Sequence, residues 1–306
     1  MIKFKEIVFL KNLPRIGKKR IYGKYWSILS ESKDFPDLVG EIQKEGKFTK
    51  DQIDNAINKT RDIFNLLIEN PEINVITVFD DSYPKKLEIM ENDRPLILYI
   101  KGNVDALLKP NIAFIGTRKP TDSSKDFEQK AVKSILDTSE RVIISGLALG
   151  CDKIAHQITV DENKITIAIL PSGVNVIKPA KHKKLAQEII DAGGCLISEY
   201  EPDKCVTKGT YIERDRIVAA FCDAIFVVEC GIDSGTMHTV NAASGYNRTI
   251  FTYLPDDVSK DLYDGNRFIL ENKDTSIKVD NIKQFIYDLN NVENNKKVFT
   301  KQTTLF

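Results

Sequence analysis

From residue 111 onward, short apolar runs alternate with longer segments in which apolar residues recur every three or four positions. The first three runs cover residues 112–115, 142–144 and 165–170 and are rich in Ile and Val. Continuous apolar runs are typical of strands buried on both faces, and the wider spacing is typical of helices. The stretch 111–170 therefore predicts a βαβαβ unit with parallel strands.

The same alternation continues to residue 253. It predicts helices at 181–192, 211–221 and 236–246, and strands at 195–198, 224–229 and 249–253. Two apolar runs upstream, at 75–79 and 96–100, predict strands at the edge of the same sheet. We therefore expect an α/β fold: a doubly wound, Rossmann-like, mainly parallel sheet extended by N-terminal edge strands, with a small helical N-terminal domain.

Helical spacing dominates the first 70 residues. The turn Leu13-Pro14-Arg15-Ile16-Gly17 separates two helical patterns and is similar to a helix-hairpin-helix (SAM-like) turn, although two packed helices would give the same pattern. Thr49 and Gln52 have the spacing of a capping box for a helix that ends at Glu69. We predict a helical domain at 1–70, a Rossmann-like domain at 71–270, and a C-terminal helix with a flexible tail at 271–306.

Small-residue turns follow three of the predicted strands, where each strand leads into a helix. Their residues are Gly116, Thr117 and Arg118; Ser145 and Gly146; and Ser234, Gly235 and Thr236. The carboxyl ends of parallel strands meet at one edge of a sheet, and backbone amides at helix N-termini bind anions there. The turns therefore predict a site for a phosphorylated ligand.

Composition excludes few functional classes of protein. The 306 residues are 42% hydrophobic and 29% charged, with a formal net charge of +0, so any basic surface must be local. The five cysteines form no C-x-x-C pair, which favours buried free thiols over disulfides or zinc. The N-terminal apolar run is too short for a signal peptide or a membrane span, so we expect a cytoplasmic protein. No metal, cofactor or catalytic residue is predicted, because no metal-ligand spacing or catalytic triad is apparent.

Short motifs occur in one order along the chain. They are Tyr83-Pro84-x-x-Leu87, Pro95-x-x-Leu98-Tyr99, Gly116-Thr117-Arg118, Ser145-Gly146-x-Ala148-x-Gly150-x-Asp152, Leu196-Ile197-Ser198-Glu199-Tyr200, Arg214-x-Arg216 and Ser234-Gly235-Thr236. Together they resemble the DNA-processing protein A (DprA, or Smf) family over residues 13–270. The resemblance implies a non-catalytic, homodimeric protein that binds single-stranded DNA. It also implies that the protein helps to load a RecA-like recombinase during DNA uptake and recombination.

Several basic residues are candidates for the DNA phosphates. Arg118 is the first, with a surface ion pair to Asp122 or Asp126 as the alternative. Arg214 and Arg216 are two residues apart, so we expect one to contact DNA and the other to brace the fold through a carboxylate such as Asp152 or Glu229. Which arginine has which role is left open.

The other candidate DNA-binding residues could equally have structural or solvent-exposed roles. Lys178 and Lys181 lie near the start of a predicted helix, where they either contact DNA or form a solvated face. Tyr99, Tyr200, Tyr211 and Tyr246 are candidates for base stacking, Tyr211 foremost. His156 is expected in the core. The family's Arg-Asn-Arg appears here with Asp215 at its centre, which places a carboxylate near the predicted phosphate path.

Four further expectations concern function and assembly. The runner-up function is a Rossmann-type nucleotide sensor or nucleotide-processing enzyme, although neither a G-x-G-x-x-G nor a Pro-Gly-Gly-x-Gly-Thr sequence is present. The segment 197–226 is expected to supply a dimer interface. Gln302, Leu305 and Phe306 resemble a peptide that docks on the sliding clamp, unless they fold back onto the protein. We also expect that deletion of residues 1–70 leaves a folded domain.

Overall fold

The computed structural model describes residues 1–255 and 262–303, with side chains described to residue 292. Five helices occupy the N-terminal region: α1 (Phe4–Asn12), α2 (Lys18–Tyr22), α3 (Trp26–Glu31), α4 (Phe35–Lys44) and α5 (Lys50–Glu69). The predicted capping box starts α5, because Thr49 Oγ1 accepts from the Gln52 amide at 3.3 Å and Gln52 Oε1 accepts from the Thr49 amide at 3.0 Å. That arrangement satisfies two otherwise unpaired amides at the helix start.

Nine strands of the described chain form one sheet. They are β1 (Ile73–Thr77), β2 (Ile97–Gly102), β3 (Asn111–Ile115), β4 (Val142–Ser145), β5 (Thr166–Ile169), β6 (Cys195–Ser198), β7 (Ala224–Val227), β8 (Thr249–Tyr253) and β9 (Ser276–Val279). Their order is β1-β2-β6-β5-β4-β3-β7-β8-β9. The pairs from β6 to β9 are parallel, and β2 pairs antiparallel with both β1 and β6. The predicted fold class is confirmed.

Helices cover both faces of the sheet. They are α6 (Asp122–Thr138), α7 (Cys151–Asp161), α8 (Lys183–Asp191), α9 (Lys208–Phe221), α10 (Thr236–Gly245), α11 (Asp264–Asn272) and α12 (Ile282–Thr303). Short 3-10 segments occur at Lys85–Asp93, Val104–Leu108 and Ala180–His182. Along β3, Ile112 and Phe114 pack on one face while Ala113 and Ile115 pack on the other, as the two-residue period of a strand requires.

The N-terminal helices share a hydrophobic core with the sheet. The Phe4 ring lies edge-on to the buried Tyr99 of β2 at 6.3 Å between centroids, and the Trp26 ring stacks on Phe79 at 4.9 Å. The same cluster includes Ala168 of β5 and Leu196 of β6. Removal of residues 1–70 would expose these faces. The expectation that the deletion leaves a folded domain therefore stays a prediction, as do the domain limits.

Four details differ from the expectations. Strand β9 was not predicted, and α12 extends to Thr303, whereas a flexible tail was expected after the C-terminal helix. Cys205 is exposed, whereas the other four cysteines are buried free thiols. Ile197 and Phe226 are 2% and 0% exposed and lie in internal strands, so the ends of the segment 197–226 cannot supply a dimer interface. Within the described residues, no helix has the length and apolarity needed to cross a membrane.

Candidate phosphate-binding cleft

A cleft of about 560 Å³ opens where β3, β4 and β7 end, beside α9 and α10. It brings together residues from all three predicted turns and one of the two candidate arginines of α9. The predicted residues that line it are Gly116, Thr117, Arg118, Gly146, Arg214, Ser234, Gly235 and Thr236. Ser145, Lys178, Lys181 and Arg216 do not line it. The parallel sheet topology thus joins turns that are more than 100 residues apart in the chain.

The first turn is held tightly by the backbone. The Thr117 amide donates to the Glu229 carbonyl at 2.7 Å, and the Thr117 carbonyl accepts from the Cys151 amide at 3.2 Å. Gly150, with φ of +75°, packs so closely that an added Cβ would lie 2.3 Å from the Thr117 oxygen. Only glycine satisfies both the positive φ and this contact. The turn that carries Arg118 is therefore rigid.

Arg118 extends from this turn toward solvent. Its side chain is exposed, and its guanidinium carbon lies 6.0 Å from the centroid of the Tyr211 ring. Among the described residues, it forms no ion pair with Asp122 or Asp126; Asp122 pairs with Lys125 instead. Contact with an aromatic face orients an arginine without neutralising it. A phosphate in the cleft would meet an unpaired guanidinium.

Backbone amides add to the positive electrostatic potential of the cleft. The amides of Arg118, Gly235 and Thr236 donate to no acceptor within the described chain. Gly235 is the N-cap of α10, and no side chain caps that helix. An uncapped helix N-terminus has amides that point outward and carries a partial positive charge. These three donors and Arg118 converge on one cleft.

Arg214 has a structural role in the second turn. Its Nη1 donates to the carbonyls of Gly146 at 2.8 Å and Ile169 at 2.7 Å, and its Nε donates to Asp215 at 3.0 Å. The guanidinium fills the space beside Gly146, where an added Cβ would lie 1.8 Å from Nη1. Arg214 is therefore the bracing arginine. Its bracing partners are two carbonyls and Asp215, which corrects the expected Asp152 or Glu229.

Arg216 lies on the other side of α9. Its Nη2 donates to both carboxylate oxygens of Glu199, at 2.5 and 2.6 Å, and its Nη1 donates to the Asp93 carbonyl at 2.8 Å. It lines a separate cleft of mixed charge. Both arginines therefore brace the fold, and only Arg214 also lines the cleft, so contact between one arginine of the pair and the ligand stays a prediction.

The remaining predicted residues lie around the cleft. Ser145 is fully buried, and its hydroxyl donates to the Phe114 carbonyl at 2.7 Å. Lys178 and Lys181 are exposed in the segment between β5 and α8. Nearby, His182 Nδ1 lies 2.9 Å from the Leu147 carbonyl. The two lysines thus remain candidates for contacts beyond the cleft.

Two basic lining residues, Lys208 and His238, were missed from the sequence. Lys208 lies in the first turn of α9, and we had placed the start of that helix at residue 211. His238 lies in the first turn of α10 and has no sequence signal that marks it as a site residue. Both line the cleft together with the predicted Tyr211. A helix start placed at the Thr207 N-cap would have brought Lys208 into the site.

The carboxylates near the cleft are occupied by structural contacts. Asp152 accepts from the amides of Gly146 and Ala148 at 3.0 and 3.1 Å. Glu229 accepts from the Thr121 amide at 2.9 Å and its hydroxyl at 2.8 Å. Burial raises the pKa of Asp215, while its contact with Arg214 opposes that rise. The acids therefore hold the turns in place.

The other side chains singled out from the sequence are mostly structural. His156 is fully buried, as expected; its Nδ1 lies 2.7 Å from Thr166 Oγ1, and burial lowers its pKa to about 3. Tyr99 is buried, Tyr200 donates to Glu213, and Tyr246 is partly buried. No group of metal-ligating side chains occurs among the residues described. Leu305 and Phe306 and the side chain of Gln302 lie outside the described part of the chain.

Comparison with known sequences identifies relatives of this chain. A sequence model of the family described as "DNA recombination-mediator protein A" matches residues 74–290. The chain is 31% identical over 195 residues to the DNA processing protein DprA of Streptococcus pneumoniae, covering 64% of this chain and 67% of that protein. Two further curated relatives are matched over 54% and 62% of their own lengths.

Two solved structures have the same fold. The DNA processing protein A structure from S. pneumoniae aligns with a TM-score of 0.76 at 24% identity, covering 93% of this chain and 97% of that one. The DNA processing protein A structure from Helicobacter pylori aligns with a TM-score of 0.63 at 31% identity, covering 71% and 95%. The latter is described as having a unique single-stranded DNA binding mode.

Proposed function

Because the chain belongs to the DNA recombination-mediator protein A family, we propose that it binds single-stranded DNA and catalyses no reaction on it. The observation that carries the proposal is the cleft where Arg118, Lys208 and the unpaired turn amides converge beside Tyr211. Cations and amides suit the phosphates, and a tyrosine ring suits an unpaired base. Phosphate contacts carry no sequence information, so we expect binding that tolerates many sequences.

The occupied carboxylates support a binding role rather than a catalytic one. Asp152 and Glu229 accept from backbone amides, and Asp215 accepts from the buried Arg214. A general base must have a lone pair directed at the proton that it removes. One carboxylate oxygen of each of these three acids is directed at the protein itself.

We further infer that the protein acts as a homodimer that assists a RecA-like recombinase in DNA recombination and uptake. The family supports this inference, and so does the size of the cleft. A volume of about 560 Å³ holds only a short stretch of a strand. A second subunit would extend the path. Sedimentation at micromolar protein concentration should therefore give the mass of a dimer, and a monomer that retains full DNA binding would contradict this inference.

Replacement of Arg118 tests the proposed site. The Arg118→Gln variant should bind an oligo-dT strand about tenfold more weakly, because it loses a charged contact to phosphate. The slope of log affinity against log salt should fall by about 0.7, the value for one phosphate contact on a single strand. Fluorescence anisotropy over a salt series measures both quantities.

Lys133→Gln is the matched control, since Lys133 is exposed on α6 and pairs with Glu162 away from the cleft. It should leave both quantities near those of the wild type. If Arg118→Gln matched this control, the cleft would not be the DNA site.

A nucleotide-binding function remains the second candidate, because the cleft volume lies in the range of small-molecule pockets. The same assay separates the two functions. Free mononucleotide should not displace the strand at concentrations near 100 times the strand's Kd. Displacement at or below the strand's own Kd would favour a nucleotide sensor.

A further inference from the structure

A second basic surface lies in the N-terminal helices, far from the turns of the cleft in sequence and outside residues 74–290. We call it the N-terminal basic groove and define it by Arg15, Arg20, Lys24 and Lys47, with Tyr25 and Phe48 between them. Its volume is about 780 Å³, and no acidic residue lines it. The α1–α2 turn forms one wall, and the segment between α4 and α5 forms the other.

The cations in the groove outnumber the carboxylates that pair with them. The ammonium groups of Lys24 and Lys47 lie 3.2 and 3.8 Å from the same oxygen of Glu45. A side-chain contact with Lys24 lowers the pKa of Lys47. A bound anion would give these two like charges a further partner.

The two arginines add further positive charge. Arg20 Nη1 donates to the Arg15 carbonyl at 2.9 Å, which ties the wall together. Both side chains are exposed, and neither forms an ion pair within the described part of the chain. The groove therefore has four cations, of which two share the Glu45 carboxylate.

The groove also has an aromatic surface. Phe48 is half-buried at the lining, and Lys24 Nζ lies 4.6 Å from the centroid of the Tyr25 ring. Positive charge that tracks a backbone, combined with rings for the bases, is the arrangement that single-stranded nucleic acids require. Duplex DNA keeps its bases stacked inside and would make no use of the half-buried Phe48 ring in such a groove. The combination favours a single strand.

The groove is distinct from the cleft of Arg118. Between them lies α9, which directs Tyr211 and Arg214 toward the cleft and Glu213 and Arg216 toward the opposite side. That opposite side also carries the carboxylates of Asp93 and Glu199. A strand that left the cleft in this direction would meet acidic groups before it reached the groove. The groove therefore suits a separate segment of nucleic acid.

We propose that the N-terminal basic groove is a second binding site for single-stranded DNA. Arg15, Arg20, Lys24 and Lys47 hold the backbone, and Phe48 stacks with a base. The proposal rests on the proposed function, since it adds a second strand segment to a protein that already holds one in its cleft.

The test replaces three cations together: Arg15→Gln, Arg20→Gln and Lys47→Gln. Lys24 is kept so that Glu45 retains a partner. The control variant carries Lys44→Gln, Lys59→Gln and Arg61→Gln, which remove the same charge from exposed positions of α4 and α5 outside the groove. Each full-length protein is titrated with an oligo-dT of about 60 nucleotides and with a duplex of equal length. The salt concentration is varied in both titrations.

The groove variant should bind the long single strand about tenfold more weakly than the control variant. Its salt slope should be smaller by about 2, because three phosphate contacts at about 0.7 each are lost. Phe48→Leu should weaken binding about fivefold and leave the salt slope unchanged, because it removes a stacking surface and no charge.

The outcomes separate the two proposals. If the groove and control variants bound alike while Arg118→Gln bound weakly, the groove would be refuted and the cleft retained. If the groove variant lost affinity for the duplex alone, single-stranded DNA would be the wrong occupant. If the wild-type protein bound no single strand, the proposed function would fail, and the groove proposal with it.

Discussion

Asp215 lies between the buried guanidinium of Arg214 and the cleft, and its charge opposes any phosphate bound there. Burial raises the pKa of its carboxyl group, so the ionised form is disfavoured in the folded protein. Asp215→Asn keeps an oxygen that can accept from Arg214 Nε and removes the charge. We expect this variant to bind oligo-dT about threefold more tightly at low salt, with the gain shrinking as salt screens the repulsion.

The control for that prediction is Asp203→Asn, which removes an exposed acid from the loop before α9, outside the residues that line the cleft. Anisotropy titrations at low and high salt compare the two variants. A gain for Asp203→Asn equal to that for Asp215→Asn would assign the effect to overall charge and not to the cleft.

The strand-end residues could be assigned to one site from the sequence, because the parallel topology dictates where the strand ends meet. The roles of Arg214 and Arg216 could not. Both lie in one helix, and their roles depend on what faces each side of it: the carbonyls of Gly146 and Ile169 on one side and the carboxylate of Glu199 on the other. Those partners are between 15 and 70 residues away, so local pattern holds no information about them.

Helices α6 and α7 enclose an acid that has no use in either proposed site. Glu128 of α6 is fully buried, and no N–H or O–H donor among the described residues contacts its carboxylate. Burial, with the nearby charge of Asp152, raises its pKa well above 4.5. The folded protein therefore holds this proton to higher pH than the unfolded chain does. The stability that this proton contributes is present below pH 4.5 and is lost as the pH rises toward the folded pKa.

Glu128→Gln should remove the loss of stability that the wild-type protein shows as the pH rises. The variant and the wild type should have similar unfolding free energies near pH 5, and the variant should gain roughly 1 kcal/mol per pH unit above it until the folded pKa is passed. Urea unfolding at several pH values measures the difference. Asp137→Asn, an exposed position on the same helix, should show no such trend. A pH-independent difference for Glu128→Gln would contradict the assignment.

At the scale of elements, the buried strands and the edge strand β1 were predicted, whereas the edge strand β9 was not. The strands β3 to β8 are buried on both faces and read as apolar runs. Strand β9 has only Val279 fully buried, and it lies at the edge of the sheet among polar neighbours. A short strand of this kind is stabilised by pairing with β8, which no local pattern reveals.

Across the whole molecule, the helical region and the sheet behave as one packed body. Leu10, Leu29 and Leu38 of the N-terminal helices belong to the same buried cluster as Ile97 and Leu196 of the sheet. The sequence indicated a separate helical domain because the hydrophobic period changes near residue 72. A change of period marks a change of secondary structure, however, and does not show whether the two parts share a core. This shared core limits what a truncation can test.

The shared core predicts that the helical region does not unfold before the sheet. Trp26 is the only tryptophan in the sequence. Its ring is stacked between Tyr22 at 5.1 Å and Phe79 at 4.9 Å, so its fluorescence reports the packing of the N-terminal helices against the segment after β1. Far-UV circular dichroism reports the helices and strands of the entire chain. In urea, the two signals should follow one transition with the same midpoint, as in two-state unfolding.

Phe4→Ala, which removes the ring that contacts Tyr99, should lower both midpoints together, because it lowers the free energy of unfolding by about 3–5 kcal/mol. Thr138→Ala, at the exposed end of α6, should move neither midpoint appreciably. A fluorescence transition at clearly lower urea than the dichroism transition would show that the N-terminal helices form an independent domain, and it would restore truncation as a way to test the N-terminal basic groove.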